Sequence, residues 1–359
     1  MKVLFDHQLF SFQRIGGASK YFCELLANMP REMWETTTIW SNNRYVEDLN
    51  LFPHKSFMPN RYFRGQGRIM SELNWPHTKK VISQGNYDVY HQTHFYTNGF
   101  KALGNKPMVT TFHDINFSTL VKNDNIVRVQ KLSLERADKI ITISQNTKKD
   151  MLRLFDIDEN KISVIYHGVE QVDLKELSTE QNLYDFPYLL YVGTRAPNKN
   201  WHRFMQAFSV IAAKYKDLKL VCTGKDFSDR EKEFINSLGL TGKVVHIQAT
   251  ERQMQILYFN SVAFVFPSLY EGFGMPLLEA MVCKCPVICA NSSCFPEIAQ
   301  NAVEYFEPES VESMIASIQK VLSDNEYRKE LGEKGYNHSH NFSWKKSAEE
   351  HIAVYQSLI

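Results

Sequence analysis

Ala263-Phe264-Val265-Phe266-Pro267-Ser268-Leu269-Tyr270-Glu271-Gly272-Phe273-Gly274-Met275-Pro276-Leu277-Leu278-Glu279-Ala280-Met281 is the stretch that decides how this chain is read. Its opening apolar run, Ala263 to Phe266, has the character of a buried strand. Its end, from Pro276 to Met281, reads as the first turns of a helix with proline near the first position. Between strand and helix stand Glu271, Gly272 and Gly274, and Glu279 lies further along, on the helix. Glycine lets backbone N–H groups come close to a ligand, and a helix N-terminus favours an anion. The two glutamates can accept hydrogen bonds from hydroxyls on either side of that anion. A ligand with hydroxyls, a diphosphate and more hydroxyls suits this order of groups, and a nucleotide-sugar is such a ligand. A tight strand-to-helix turn with solvated glutamates is the competing reading.

The rest of the chain sets limits around that stretch. Its 359 residues give room for about two domains, each with its own core. Hydrophobic residues at 43% and charged residues at 23% are ordinary for a globular protein. A formal net charge of +1 argues against a dedicated nucleic-acid binder, which would carry a strong basic excess. Met1-Lys2-Val3-Leu4-Phe5-Asp6 enters a strand directly and lacks the apolar core of a signal peptide. No apolar run of about eighteen residues is present to span a bilayer, so a cytoplasmic protein is expected. Cysteines stand at positions 23, 222, 283, 285, 289 and 294. The last four invite a zinc reading, yet Cys283-Lys284-Cys285-Pro286 falls where a helix ends and a buried strand begins. Without paired C-x2-C spacing, buried free thiols and no metal are expected.

Apolar runs alternate with helical patterns throughout, the mark of a parallel α/β sheet. Strands are expected at 2–5, 89–91, 108–112, 139–144 and 162–166, then at 188–192, 219–223, 244–247, 263–266, 286–290 and 302–306. Helices are expected at 18–29 and 125–137, then at 200–214, 229–238, 251–260, 276–281 and 311–323. The polar, acidic stretch 170–185 reads as an interdomain linker. On either side of it two Rossmann-like, doubly wound domains are expected to face a cleft. The segment from Phe342 to Ile359 reads as a final helix with Ser343 as its cap.

Several other stretches carry chemistry. Gly16-Gly17, between the first strand and a helix, allows close approach of a phosphate or a sugar, and equally makes a simple turn. Tyr191-Val192-Gly193-Thr194-Arg195-Ala196-Pro197-Asn198-Lys199-Asn200-Trp201 ends a strand and precedes a helix. Lys199 there can neutralise a departing diphosphate, or be a solvated charge on a turn. His113, beside Asp114 in Thr110-Thr111-Phe112-His113-Asp114-Ile115-Asn116-Phe117, ends a strand, where side chains reach the ligand edge of an open sheet. A packed core histidine is the plainer alternative, and Asp114 can fix its orientation. His91 and His94 end the preceding strand and are acceptor-side candidates. His167-Gly168 makes another strand-end turn. Ser144 suits a phosphate or the cap of the next helix. Gly224 and Lys225 are candidate nucleotide neighbours. Residues 51–150 hold 15 Lys and Arg against 7 Asp and Glu. Among them Arg61, Arg64 and Arg68 alternate with Tyr62, Phe63, Ile69 and Met70. That interleaving suits an anionic bilayer or a lipid-diphosphate acceptor, and a solvated helix face as well.

Over nearly its whole length the sequence resembles the retaining family 4 glycosyltransferases, which have the two-domain GT-B fold. Glu271 and Glu279 match the family's Glu-x7-Glu signature, Gly193 to Asn200 is similar to its Gly-x-x-x-Pro-x-Lys-Asn motif, and His113 resembles its strand-end histidine. Within the family the likeness is to bacterial surface-polysaccharide enzymes, several of them mannosyltransferases. The resemblance implies a first domain of residues 1–182, joined by the terminal helix 342–359 crossing back, and a second domain of 183–341. It implies that Glu271 holds the donor sugar and Glu279 the ribose. Lys199, Arg195, Gly16, Gly17, Gly224, Lys225, Gly272, Phe273, Gly274, Met275 and Pro276 would complete the donor site. Lys199 departs from many relatives in having Asn198 before it and Thr194 after the glycine, with Arg195 displaced by one place. His113, Glu271 and Lys199 would form the catalytic group, with His91, His94, Asp114 and Ser144 towards the acceptor.

The activity implied by the resemblance is transfer of a hexose, with mannose from GDP-mannose as the guess, to a glycan or polyprenyl-diphosphate-linked saccharide. Anomeric configuration would be retained, by front-face displacement as the family's favoured route or by double displacement, and without a metal or other cofactor. Work at the inner face of the cytoplasmic membrane would fit such an acceptor. A nucleotide-sugar epimerase or sugar phosphorylase on the same scaffold is the enzymatic alternative. A non-catalytic partner subunit that keeps the fold for assembly is the other.

Overall fold

The structure, a computed structural model, describes residues 1–114 and 124–359. The chain divides into two compact units: residues 1–168 with 342–359, and residues 169–341. Each unit holds a parallel six-stranded sheet.

In unit 1 the strands are β1 (Val3–Phe5), β2 (Trp34–Thr36), β3 (Val89–Gln92), β4 (Met108–Phe112), β5 (Lys139–Thr142) and β6 (Ile162–Val164). Their order is β2-β1-β3-β4-β5-β6. Chain direction across the sheet therefore reverses between β1 and β3, and the loops leaving those strands diverge there. The helices are α1 (Gln8–Phe12), α2 (Gly17–Asn28), α3 (Arg44–Asp48), α4 (Gln66–Gln84), α5 (Phe100–Leu103), α6 (Asp124–Arg136) and α7 (Gln145–Leu154).

Unit 2 contains β7 (Tyr188–Tyr191), β8 (Lys219–Thr223), β9 (Val244–Ile247), β10 (Ala263–Phe266), β11 (Val287–Ala290) and β12 (Glu304–Phe306), in the order β12-β11-β10-β7-β8-β9. This is a doubly wound order with its reversal between β7 and β10. Its helices are α8 (Leu174–Thr179), α9 (Trp201–Lys214), α10 (Asp229–Ser237), α11 (Glu251–Asn260), α12 (Met275–Val282), α13 (Phe295–Ala299), α14 (Val311–Ser323) and α15 (Asn325–Ser339). All residues of β7, β10 and β11 are buried, which is why those strands read as unbroken apolar runs.

The last helix, α16 (Trp344–Gln356), belongs to unit 1 and packs on α2. Tyr21 and His351 join the two helices through a 2.5 Å hydrogen bond between Oη and Nε2. Tyr355 Oη lies 2.6 Å from Nδ1 of His91 on β3. Gly168 lets the chain pass the start of α16, since a Cβ there would stand 2.0 Å from the nitrogen of Trp344.

The linker expected at 170–185 is corrected. The change of unit falls between Gly168 and Val169, and most of that stretch is folded onto unit 2. Asp173 caps α8 by accepting from the N–H groups of Lys175 and Glu176, and Leu177 is fully buried. Glu176 and Glu180 pair with Arg252 of α11 at 2.8 and 2.9 Å. Acidic composition here marks a capped amphipathic turn, with one apolar side chain turned inward.

Candidate functional site

The loops after β7 and β10 leave the sheet of unit 2 at its reversal point and are tied together. The N–H of Leu269 donates to the carbonyl of Asn198 at 2.8 Å. Pro197–Lys199 form a single 3-10 turn, and Asn200 closes it in the left-handed region before α9 begins. That turn delivers Lys199 to Glu271, with Nζ and Oε1 2.5 Å apart and the side chains only 22% and 16% exposed. Partial burial strengthens an ion pair over its value in water. Ser293 fixes the peptide of Glu271 from both sides, accepting from its N–H at 3.2 Å and donating to its carbonyl at 2.6 Å.

Gly272, Phe273 and Gly274 are buried beneath this pair. Gly274 precedes α12 at φ +87°, where a Cβ would stand 2.9 Å from the ring of Phe295. Only glycine fits both conditions. No side chain caps α12, and Pro276 in its first turn has no N–H to satisfy. The N–H of Leu277 donates to the carbonyl of Gly274 at 2.9 Å, so the backbone donors that the helix start can offer a ligand are those of Gly274 and Met275. Glu279 lies one turn later, half-buried, with Tyr258 Oη 3.5 Å from its Oε2.

The loops after β7 and β8 nest through two glycines. Gly193 and Gly224 both have positive φ, and a Cβ on Gly224 would lie 2.7 Å from the carbonyl oxygen of Gly193. His246 donates through Nε2 to the carbonyl of Gly224 at 2.9 Å. Arg195 braces the loops through Nε and Nη2, while its buried Nη1 has no hydrogen-bond partner among the described residues. Its side chain is 5% exposed and its Nε donates to Glu231 Oε1 at 2.5 Å. Its Nη2 donates to the carbonyls of Lys225 and Asp226, and its guanidinium packs on Phe227. Burial pushes the Glu231 carboxyl up, but hydrogen bonds from Ser228 and Arg195 outweigh it and hold the group below its usual range. The Lys225 side chain is exposed. Glu231, His246 and Ser293 are the neighbours that sequence reading missed. Only the Ser228-x-x-Glu231 capping box at the start of α10 was there to be seen.

In unit 1 the loops after β1 and β3 meet at Asp6. Its carboxylate accepts from Thr93 Oγ1 at 2.5 Å, from Tyr90 Oη at 2.8 Å and from the side chain of Gln8 at 2.7 Å. Gln8 in turn exchanges hydrogen bonds with the backbone of Tyr96. Asp6 is thus a structural organiser, found by position in the topology and not by motif. At the start of α2 the side chain of Gln13 accepts from the N–H of Ser19 at 3.0 Å, while the space beside Gly17 is open.

The histidines separate into different roles. His91 is corrected from an acceptor contact to a core residue, bonded to Tyr355 and to Thr111 Oγ1 at 2.9 Å and stacked on Phe5. His94 packs against Phe12 and Tyr96, and burial lowers its pKa to about 4. His113 stands edge-on to Tyr21 with ring centroids 4.9 Å apart. Burial lowers its pKa to about 3, so it is a neutral imidazole, and its Nε2 has no hydrogen-bond partner among the described residues. Asp114 is exposed, and Ile115 to Phe117 of the same stretch lie outside the described residues. His167 stacks on Trp344 at 5.7 Å. Ser144 caps α7 by accepting from the N–H of Thr147 at 3.0 Å, so of its two expected roles the structure shows the cap. The six cysteines are buried free thiols. No helix among the described residues is long and apolar enough to cross a membrane.

Comparison with known proteins bears on both units. The family described as glycosyl transferases group 1 matches residues 175–338, and the one described as glycosyltransferase family 4 matches residues 15–171. The O-antigen chain mannosyltransferase RfbU of Salmonella typhimurium is 31% identical over 192 residues, which span 53% of this chain and 53% of that protein. The O-antigen chain mannosyltransferase B of Escherichia coli is 28% identical over 287 residues, 75% of this chain and 74% of that one. Among solved structures, sucrose-phosphate synthase from Thermosynechococcus elongatus superposes with a TM-score of 0.78 at 18% identity, covering 100% of this chain and 99% of that one. Anabaena HepE in complex with UDP and glucose gives 0.78 at 18% identity, over 99% and 100%. At such identity the likeness concerns the fold, which is GT-B.

Proposed function

The chain belongs to the group 1 and family 4 glycosyltransferases, and from that premise we propose that it moves a hexose from a nucleoside-diphosphate sugar to a glycan or lipid-linked saccharide in surface-polysaccharide synthesis, with retained configuration. The observation that carries this reading is the Lys199–Glu271 pair set against the uncapped start of α12. A cation, the backbone N–H groups of Gly274 and Met275, and two carboxylates separated by one helix start match a diphosphate with hydroxyls on both sides. In this reading Glu271 holds hydroxyls of the donor sugar and Glu279 those of the ribose. Lys199 and the N–H groups near Gly274 and Met275 meet the charge that grows on the diphosphate as its bond to the anomeric carbon breaks.

The acceptor hydroxyl bonds to that carbon from the face the diphosphate leaves, and gives up its proton to the departing phosphate oxygen. The scheme assigns charge neutralisation to Lys199 and α12 and uses no metal. His113, a neutral imidazole whose buried Nε2 has no hydrogen-bond partner among the described residues, is proposed as a substrate contact of unit 1. Mannose as the transferred hexose is supported by the names of the sequence relatives, and GDP as its carrier is part of the proposal. A thermal-shift panel of GDP- and UDP-sugars tests the reading, since a ligand bound only by the folded state raises the midpoint. GDP-mannose should give the largest shift, and no shift with any nucleotide-sugar would overturn the assignment.

A further inference from the structure

We propose that the exposed face of α4 and the turn before it form a docking surface for an anionic lipid bilayer. The structure exposes cations and apolar groups in alternation along α4 and the turn before it. Met58, Tyr62, Ile69 and Leu73 are 53%, 71%, 42% and 45% exposed. They are four of the twelve large apolar residues exposed among the described residues, gathered within one sixteen-residue stretch. Between Lys55 and Lys80 stand six cations, Lys55, Arg61, Arg64, Arg68, Lys79 and Lys80, against the single carboxylate of Glu72. All of these charged groups are exposed.

The helix sorts these residues by face. Met70, Ser71, Asn74, Trp75, Thr78 and Ile82 are buried. At 3.6 residues per turn the exposed positions fall on an arc of about 140°, with Arg68 and Lys79 on one flank and Ile69, Lys80 and Leu73 on the other. Such a face can place apolar side chains at the acyl boundary while cations meet lipid phosphates. The surface is also held in place. Asn74 accepts from the N–H groups of Ile39 and Trp40 at 2.8 and 2.9 Å. Gly67 passes so close to α1 that a Cβ would stand 2.8 Å from the carbonyl oxygen of Phe12. Gln66 donates to the carbonyls of Phe57 and Arg61 at 2.7 and 3.1 Å, fixing the turn that carries Met58 and Tyr62. A purely solvated face accounts for the cations and leaves four exposed apolar side chains among them without a use. Charge complementarity selects the anionic bilayer as the occupant.

The test is co-sedimentation of the full chain with vesicles of phosphatidylcholine, alone or with about one third phosphatidylglycerol. The chain should pellet with the anionic vesicles only, and salt of about 0.5 M should release it. Arg61→Glu/Arg64→Glu/Arg68→Glu should weaken partitioning by on the order of a hundredfold or more. Ile69→Ser/Leu73→Ser, with the charges intact, should weaken it by about tenfold. Unchanged thermal midpoints and unchanged nucleotide affinity would show that both variants are folded and that the donor site of unit 2 is intact. Equal pelleting with neutral vesicles, no pelleting with either, or indifference to charge reversal would overturn the proposal. So would a chain that dimerises through this face, seen as Ile69→Ser/Leu73→Ser turning dimer into monomer in the ultracentrifuge with vesicle binding unaltered.

Discussion

Lys199 and Glu271 stand 72 positions apart in the chain, and their charged groups meet at 2.5 Å. The parallel pairing of β7 with β10 brings them there, because the two strands are neighbours and their loops diverge at the same edge. On the proposed reading, a donor diphosphate competes with the Glu271 carboxylate for the Lys199 ammonium. Lys199→Met removes the cation while keeping much of the stem, and kcat should fall by about 100-fold or more, the cost of losing one donor to a developing anion. Steady-state initial rates at saturating donor check this, and a loss confined to KM would assign Lys199 to ground-state binding alone.

Glu271 and Glu279 should separate in binding experiments. Glu279→Ala should weaken every nucleotide, with or without its sugar, by about tenfold or more, the scale of a hydrogen bond to a charged group. Glu271→Ala should chiefly erase the difference between the sugar donor and the bare nucleotide diphosphate, and its loss also frees Lys199 for phosphate. Titration calorimetry with both ligands on both variants decides, and equal effects of the two substitutions would contradict the division of roles.

Two glycines expected at the donor site differ in what they can tolerate. Gly274 has φ +87° and a Cβ would meet the Phe295 ring at 2.9 Å, so Gly274→Ala combines backbone strain with overpacking. It should destabilise unit 2 by about 2 kcal/mol or more and weaken nucleotide binding. Gly17 opens α2 with nothing within 4 Å of its missing side chain, and Gly17→Ala should leave stability within about 1 kcal/mol of the parent. Chemical denaturation of the two variants side by side gives the contrast, and similar losses from both would show the Gly274 argument to be wrong.

The parts of the fold visible in the sequence were those where local pattern and tertiary role coincide. Ala263 to Phe266 is buried on every side and reads as one apolar run, and Pro276 announces α12. α4 escaped notice because its buried face is half polar, with Ser71, Asn74 and Thr78 facing inward, and Pro76 sits inside it. No apolar stripe of helical period survives such a composition. β2, three residues long with Glu35 exposed, leaves too short a trace. The candidate site was legible in the same uneven way. Glu271 and Lys199 stand in recognisable motifs, whereas their pairing needs the order of the strands. His91 misled because a strand-end histidine carries the same local sequence whether it meets a ligand or, as here, a tyrosine of the last helix.

The histidines buried around Tyr21 make unit 1 sensitive to acid. Burial lowers the pKa of His113 from 6.5 to about 3 and that of His351 from 6.5 to about 4, and it holds His91 and His167 well below 6.5. A histidine lowered on folding binds its proton more readily in the unfolded chain. Its contribution is therefore complete above pH 6.5 and is lost as pH falls from there towards the folded value. Each such histidine contributes a slope of about 1.4 kcal/mol per pH unit within that window. Asp6, whose carboxyl is pushed up by burial, acts in the opposite sense. His7 and His94 are lowered in the same way, to about 3 and about 4, and burial raises the carboxyl of Glu350 as it does that of Asp6. Six histidines against two carboxyls give a net loss, so the thermal midpoint should drop steeply between pH 6 and 4. His351→Gln removes one titrating group and leaves a side chain able to meet Tyr21. It should flatten that slope by about one proton's worth even if it lowers stability at pH 7. A variant slope as steep as the parent's would mean that His351 does not share in the acid response.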